Sequence, residues 1–297
     1  MQKLHPAKRR LVWHGVFDTR ANTLATKIRE NWDQDVKELW KTNKEKVIFE
    51  VLSELEIWNS ERKILDFVAL GTSPFSIVAH HNKFFAQIRV AFTQGAYYPA
   101  LTGACALGER ILNHLVIDLR DNFKSTPEYK TVYRKKSFDD WSKAVDVLTA
   151  WKVLEKNVAT LFKKLEVQRQ RSIHFNLKIV SNLRDESLAS IQLLRDIIAQ
   201  QFSGYEGQSW VIPGTRGHRF FKKEYEGDPF LECYFFPQSP LVGINFAMRF
   251  DPNAGWIFYD YDDYGSKSLL DEEFRDQFND RNHSQLTPTE EKYRISK

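Results

Sequence analysis

The chain has 297 residues, enough for one large or two modest domains with a full hydrophobic core. Its 43 basic residues exceed its 39 acidic residues by four, and its pI of about 8.8 permits a phosphate-rich partner without requiring one. Two cysteines exclude a disulfide framework, and the basic N-terminus precedes no apolar signal segment, so we expect a cytoplasmic protein. The uncharged run 90–108 contains Gly, Pro, Thr and Gln, and we expect no membrane span.

Amphipathic helices and a turn are predicted in the first quarter of the chain. Residues 23–46 carry spaced apolar positions among many charges, and residues 47–55 continue the pattern, which predicts helix. Residues 71–74 are typical of a turn and end in Pro74, a residue favoured at the first helical position. We therefore expect a helix from Pro74 to Thr93.

The next predicted helix has the character of the central helix of a bundle. Residues 95–99 break the preceding helix, and apolar residues then recur at three- and four-residue steps as far as Leu119. Four small residues on this helix predict the close approach of another backbone: Gly103, Ala104, Ala106 and Gly108. A polar connection over 121–136 follows.

Three further helices are predicted before the composition changes. Residues 137–140 resemble a capping box for a helix that begins near Trp141. A second helix over 158–165 leads directly into the segment 169–174, and a third runs over 186–202.

The C-terminal part has short apolar and aromatic runs separated by Gly and Pro, which predicts a small antiparallel sheet. The predicted strands are 208–212, 218–222, 231–236, 243–250 and 255–261. A short helix at 271–278 and a disordered polar tail are expected to follow. The fold class is therefore mainly α with a C-terminal α+β extension. The predicted divisions are an N-terminal helical region (1–73), a helical bundle (74–205), a β region (206–278) and the tail (279–297).

The segment 169–174 carries the strongest chemical signal, an arginine and a histidine separated by four residues. His174 can exchange a proton near neutral pH with a ribose 2′-hydroxyl or a leaving oxygen. Arg169 stays charged and can hold a phosphate whose negative charge grows in the transition state. The pattern alone is weak, because a random chain of this composition often contains it, and an exposed basic turn is the alternative.

The order of helices around this pair resembles that of the HEPN (higher eukaryotes and prokaryotes nucleotide-binding) domains. The resemblance rests on the helix rich in small residues at 98–114, the segments 137–148 and 151–154, and the run 161–176 that ends in Arg-x4-His-Phe. It covers roughly 74–202, under half of the chain.

The resemblance implies a helical bundle that dimerises so that two Arg-x4-His motifs face each other across one cleft. Many members are metal-independent ribonucleases that act as toxins or in phage defence. By this resemblance Arg169 and His174 take the catalytic positions, and Glu109 stands where many members keep an acidic or polar residue. Gln170 departs mildly from the Asn that commonly follows the motif arginine.

On a regular helix Arg169 and His174 are about 140° apart and about 7.5 Å apart along the axis, which suits a site shared between two chains better than one within a helix. A local break near Ser172 is the other solution. The expected reaction is attack of the 2′-hydroxyl on phosphorus, which leaves a 2′,3′-cyclic phosphate and a 5′-hydroxyl. No metal and no cofactor are expected.

Further residues complete the predicted substrate-binding set. Arg171 and Lys178 can hold flanking phosphates, Asn176 can orient the imidazole, and Glu109 belongs to the same set. The expected partners are RNA, with tRNA among the candidate targets, a second copy of the chain, and an antitoxin or trigger protein. The alternative function is a catalytically inactive HEPN-like dimer that serves as a binding or scaffold module.

Several other groups are candidate sites. A structural role is the stronger interpretation for Arg9 with His14 and for the neighbours His80 and His81. Arg110 and His114 are one residue closer than the Arg-x4-His spacing, and Glu109 with Arg110 is equally well explained as a buried pair that joins two helices. In the C-terminal part, two groups were considered: a carboxylate cluster for Mg²⁺ (Asp260, Asp262, Asp263) and a basic nucleic-acid surface (Arg216, His218, Arg219, Lys222, Lys223).

Overall fold

The computed structural model describes residues 5–13, 16–76, 79–137, 140–173, 181–203, 208–260, 264–266 and 268–281. The chain forms two compact units, one of residues 15–203 and one of residues 1–14 together with 204–297. The mainly helical class with short antiparallel strands is as predicted. No helix among the described residues is both long and apolar enough to cross a membrane.

The described strands are β1 (Arg9–Arg10), β2 (Val16–Asp18), β3 (Ser73–Ser76), β4 (Leu241–Val242), β5 (Ala247–Asp251) and β6 (Gly255–Tyr259). The helices of the first unit are α1 (Arg20–Ala25), α2 (Gln34–Leu55), α3 (Ser60–Leu70), α4 (Ala79–Thr93), α5 (Tyr97–Leu119), α6 (Tyr129–Val132), α7 (Trp141–Ala150), α8 (Val158–Ile173) and α9 (Leu183–Phe202). The second unit contains α10 (Pro229–Tyr234) and α11 (Asp271–Asp280).

Helix α5 lies at the centre of the helical unit, where it packs against α4, α7, α8 and α9. Its buried residues recur at three- and four-residue steps, and this apolar stripe explains its central position. A Cβ at Gly108 would lie 2.6 Å from Leu165 Cδ2 and 3.0 Å from Trp141 Cη2. The small residue therefore makes room for the side chains of α8 and α7.

The prediction that Pro74 begins a helix is wrong. Helix α3 ends at Gly71, which has a φ of +67°, and Pro74 then lies in strand β3. This strand pairs antiparallel with β2, with Val16 opposite Ser76 and Asp18 opposite Ser73. Long-range pairing with a strand some 55 residues earlier overrides the local helix signal of the proline.

The long helix predicted over 23–46 is divided in two. Helix α1 ends at Ala25, and α2 begins at Gln34 after Asp33 at the N-cap position. The predicted helices at 158–165 and 186–202 are confirmed within α8 and α9. Asp140 caps α7, since its side chain accepts a hydrogen bond from the backbone N–H of Lys143. Phe138, Asp139 and Gly204 lie outside the described residues.

The second unit contains two-stranded pairs where one sheet was expected. Strand β1 pairs antiparallel with β4, and β5 forms a hairpin with β6. The predicted strands 208–212 and 218–222 form isolated bridges, among them Val211 with Phe221 and Leu11 with Phe220. Phenylalanines dominate the core of this unit: Phe220, Phe246, Phe258, Phe274 and Phe278.

The predicted strand 231–236 is wrong, because residues 229–234 form helix α10. The side chain of Asp228 accepts a hydrogen bond from the backbone N–H of Leu231, and Pro229 occupies the first turn. An Asp-Pro start is a strong helix signal that outweighs the aromatic content of the segment. The predicted helix at 271–278 is confirmed as α11.

Candidate functional site

The side chains of Arg169 and Glu109 connect α8 to α5. Arg169 Nε donates a hydrogen bond of 2.8 Å to Glu109 Oε2, and both side chains are about a quarter exposed. The terminal nitrogens of Arg169 make no hydrogen bond within the described part of the chain. Glu109 therefore orients the guanidinium through its Nε edge, and the donors of the other edge can bind a ligand.

One helical turn away from Glu109 and Arg169, the same faces of α5 and α8 are in contact at Cys105 and Ser172. Residues three or four apart lie on the same helix face, so Cys105 shares a face of α5 with Glu109, and Ser172 shares a face of α8 with Arg169. Ser172 is buried, and its hydroxyl donates to the backbone oxygen of Arg169 at 2.9 Å. Burial raises the pKa of the Cys105 thiol to about 11, although a hydrogen bond with Ser172 and the nearby charge of Arg169 act in the opposite direction. The thiol is neutral at physiological pH, which excludes it as a nucleophile.

A second ion pair lies at the same end of α8. Arg171 Nη2 donates to Glu186 Oε1 of α9 at 2.7 Å, and the arginine side chain is 42 % exposed. Arg169 and Arg171 thus each have a carboxylate partner on a different neighbouring helix. Both remain accessible to a phosphate at the surface, as the predicted substrate-binding role of Arg171 requires.

The other predicted site residues cannot be placed beside this pair. His174, Asn176 and Lys178 lie outside the described residues, and α8 is described only as far as Ile173. Of the predicted set, the structure therefore brings together Arg169 and Glu109, whereas Arg171 pairs with Glu186 on another helix.

The suggested pairing of Glu109 with Arg110 is replaced by the pair with Arg169. Arg110 points instead to Phe84 of α4, with its guanidinium carbon 5.0 Å from the ring centroid. His114, one turn further along α5, stacks on the buried His81 with ring centroids 5.6 Å apart. Arg110 and His114 therefore have separate packing partners.

Arg9 has a structural environment in the C-terminal unit. Its side chain is 1 % exposed, and it donates to Asp271 Oδ1 at 2.6 Å and to the backbone oxygen of Leu269 at 2.6 Å. His14, its partner in the second Arg-x4-His pattern, lies outside the described residues.

The carboxylate of Asp260 is likewise engaged by protein groups. Lys8 Nζ lies 2.9 Å from Oδ2, the backbone N–H of Gly243 donates to the same oxygen, and the hydroxyl of Tyr264 donates to Oδ1. Asp262 and Asp263 lie outside the described residues. Within the part of the chain that is described, no group of His, Cys, Asp and Glu side chains is arranged to hold a metal.

The basic run 216–223 also makes contacts within its own unit. Arg219 donates to the backbone oxygen of Thr215 at 2.6 Å, and Lys223 Nζ donates to Ser268 Oγ at 2.9 Å. His218 packs edge-on against Phe246, with ring centroids 5.1 Å apart. These contacts favour the structural interpretation of the run over a nucleic-acid surface.

A buried ion cluster around Asp66 was not expected from the sequence. Asp66 Oδ2 accepts from Arg62 Nη1 at 2.9 Å and from the Tyr97 hydroxyl at 2.8 Å, and Oδ1 accepts from Arg184 Nη2 at 2.7 Å. The side chain of Asp66 is 1 % exposed. The spacing of Arg62 and Asp66 on one helix face was the available signal, whereas Arg184 is more than a hundred residues away.

The carboxylate-anchored Arg169 can bind and neutralise a phosphate, and Arg171 can bind a neighbouring one. Comparison of the chain with family models, with curated proteins and with solved structures gave no match.

Proposed function

We propose that the chain is a metal-independent endoribonuclease of the HEPN type that acts as a homodimer. The observation that supports this most directly is the anchoring of Arg169 through its Nε edge by Glu109, while its terminal nitrogens make no hydrogen bond to the described residues. A guanidinium held in this way is preorganised to stabilise charge on a phosphorane. The same resemblance named Arg169 as catalytic and Glu109 as an acidic position on the earlier helix, and the two side chains are in contact.

The proposed reaction uses general acid–base chemistry. His174 removes the proton of the 2′-hydroxyl or protonates the leaving 5′-oxygen, while Arg169 binds the non-bridging oxygens. The products are a 2′,3′-cyclic phosphate and a 5′-hydroxyl. Arg171 and Lys178 bind flanking phosphates, and Asn176 orients the imidazole of His174.

A second copy of the chain supplies the second histidine in this proposal. Of two histidines related by a twofold axis, one can act as the base while the other acts as the acid. The proposed setting is cytoplasmic, with RNA such as tRNA as substrate, in a toxin or phage-defence role under the control of an antitoxin or trigger protein.

The test is incubation of wild type and His174→Ala with total RNA and with tRNA in EDTA, followed by analysis of fragment ends. Wild type is expected to leave cyclic phosphate ends, and His174→Ala and Arg169→Ala are expected to leave the RNA intact. His114→Ala is the matched histidine control, because His114 lies in the other arginine–histidine pattern on α5. Cleavage by His174→Ala at the wild-type rate would contradict the proposal.

The inactive binding module is favoured by a different observation. Arg169 and Arg171 are each neutralised by a carboxylate, which lowers the net positive charge available to an RNA backbone. RNA binding without cleavage by wild type, unaffected by His174→Ala, would support this second function. Growth inhibition that depends on His174 would support the enzyme.

A further inference from the structure

A cavity of about 500 Å³ lies in the helical unit between the β2–β3 pair and helices α1 to α4. Its lining includes Arg89 of α4, Phe67 of α3, Glu54 of α2, and Asp18 and Arg20 at the end of β2. The volume is within the range of small-molecule sites. Neither Arg169 nor Glu109 lines it, so it is separate from the proposed catalytic site.

Arg89 is a buried cation in this cavity. It is 6 % exposed, and its terminal nitrogens donate to the backbone oxygens of Gly71 at 2.7 Å and Leu70 at 3.4 Å. Within the described residues no carboxylate lies within ion-pair distance of it. Burial lowers the pKa of Arg89 to about 10, although the charge of Asp18 acts in the opposite direction. A buried charge paired only with neutral carbonyls is costly, which favours an anion beside it.

The two carboxylates of the lining are already paired with Arg20. Arg20 Nη1 donates to Glu54 Oε1 at 2.7 Å, and Arg20 Nη2 lies 3.0 Å from Asp18 Oδ2. Asp18 and Glu54 therefore share Arg20, and the ion pairs within this lining do not include Arg89.

The rest of the lining is largely apolar. The ring of Phe67 lies under both guanidinium groups, 5.6 Å from that of Arg20 and 6.0 Å from that of Arg89. Leu55, Ala86 and Val90 also line the cavity. Such a wall suits a carbon skeleton and not a hydrated inorganic ion.

We propose that this cavity binds a small organic anion, whose single phosphate or carboxylate group pairs with Arg89 and whose apolar body lies against Phe67 and Leu55. The buried guanidinium supplies a charge-assisted bond at the inner end, and the apolar wall selects an organic body. The site requires no catalytic step.

The test is calorimetric titration of the full chain with adenosine 5′-monophosphate, benzoate, inorganic phosphate and uncharged adenosine. Adenosine 5′-monophosphate or benzoate is expected to bind with one-to-one stoichiometry, and more tightly than inorganic phosphate or adenosine. Which of the two binds decides between a phosphate and a carboxylate ligand. Arg89→Met should weaken the binding by about tenfold or more, the loss expected for one charge-assisted hydrogen bond.

Matched variants separate this site from others. Arg110→Met removes an exposed arginine that also lies over a phenylalanine ring, and it should leave the affinity unchanged. Arg169→Ala should also leave it unchanged, which distinguishes the cavity from the proposed RNA site. Arg89→Lys keeps the charge and should keep part of the affinity if Arg89→Met fails to fold. No binding of either organic anion at millimolar concentration, or equal binding by wild type and Arg89→Met, would overturn the proposal.

Discussion

Glu109 Oε2 accepts a hydrogen bond from Arg169 Nε at 2.8 Å and so joins the central helix α5 to the last turns of α8. Each side chain is about a quarter exposed. The contact is therefore shielded enough to orient the guanidinium and open enough for a ligand to reach it. A surface pair of this kind adds little stability by itself, so its main consequence is geometric.

Glu109→Ala is expected to reduce RNA cleavage strongly, because the guanidinium of Arg169 loses its anchor. A displacement of about 1 Å in a catalytic group costs on the order of 10²-fold in rate. Glu109→Gln keeps an acceptor oxygen and should have a milder effect. Single-turnover cleavage rates with excess protein measure both. Glu166→Ala, on the same helix as Arg169 and bonded to Ser142, is the control and should cleave like wild type.

Arg171→Ala is expected to weaken RNA binding to a similar extent for all sequences. If Arg171 contacts one phosphate of a single strand, its loss should reduce the slope of log K against log salt by about 0.7. Binding titrations at several salt concentrations measure the slope. Arg134→Ala, which removes an exposed arginine over Tyr133, should leave the slope unchanged. An unchanged slope for Arg171→Ala would exclude this contact.

Asp66→Asn is expected to destabilise the fold without regard to function. The buried carboxylate receives Arg62, Arg184 and the Tyr97 hydroxyl, and its loss should cost about 2–3 kcal/mol, less than for a fully buried pair because both arginines can be rehydrated. Denaturant unfolding measures the change. Asp185→Asn is the matched control, because the exposed Asp185 also pairs with Arg184 and should contribute under about 0.5 kcal/mol.

Gly108→Ala is expected to destabilise the helical unit by about 1–3 kcal/mol through overpacking. The added Cβ would lie 2.6 Å from Leu165 Cδ2, and this contact outweighs the gain in helix propensity of about 1 kcal/mol. Thermal unfolding measures the net change in stability. The reverse substitution Ala106→Gly, at an exposed position of the same helix, isolates the propensity effect. A stabilised Gly108→Ala protein would show that α8 moves away at little cost.

The buried thiol of Cys105 predicts a loss of stability at alkaline pH. Its pKa rises from 9.0 to about 11 on folding. The contribution of the thiol to the free energy of unfolding is therefore fully present below pH 9 and is lost as the pH rises to about 11. The free energy of unfolding of wild type should fall by about 2–3 kcal/mol relative to Cys105→Ala over this range. Parallel curves for the two proteins would contradict the raised pKa. In agreement with it, iodoacetamide at pH 8 should modify the exposed Cys233 before Cys105.

Local patterns predicted the long elements of the fold well. The stripe of α5, the helices α8 and α9 and the hairpin of β5 and β6 follow from periodicity that agrees with their burial. Pro74 lies in a strand and not in the predicted helix because the strand pairs with a partner far away in sequence. Residues 231–236 do not form the predicted strand because the Asp-Pro helix start outweighs the aromatic content.

The candidate site was predictable only in its residue types. The pair of Arg169 with Glu109 joins positions 60 residues apart, and no local spacing distinguishes it from a pair with the adjacent Arg110. The cavity around Arg89 depends on four helices and two strands, and the sequence shows there only an arginine on an apolar helix.

The pairing of β1 with β4 has a consequence for the synthesis of the chain. Arg9 and Arg10 are made before their partners Leu241 and Val242, which follow more than 230 residues later. At typical translation rates the N-terminal segment waits roughly 10–50 s for its strand partner. Residues 15–203 can be excised with one cut at each end, whereas the other unit requires that two distant segments be joined. A fusion at the N-terminus would therefore be attached to a segment whose unit is completed only by residues 204–297.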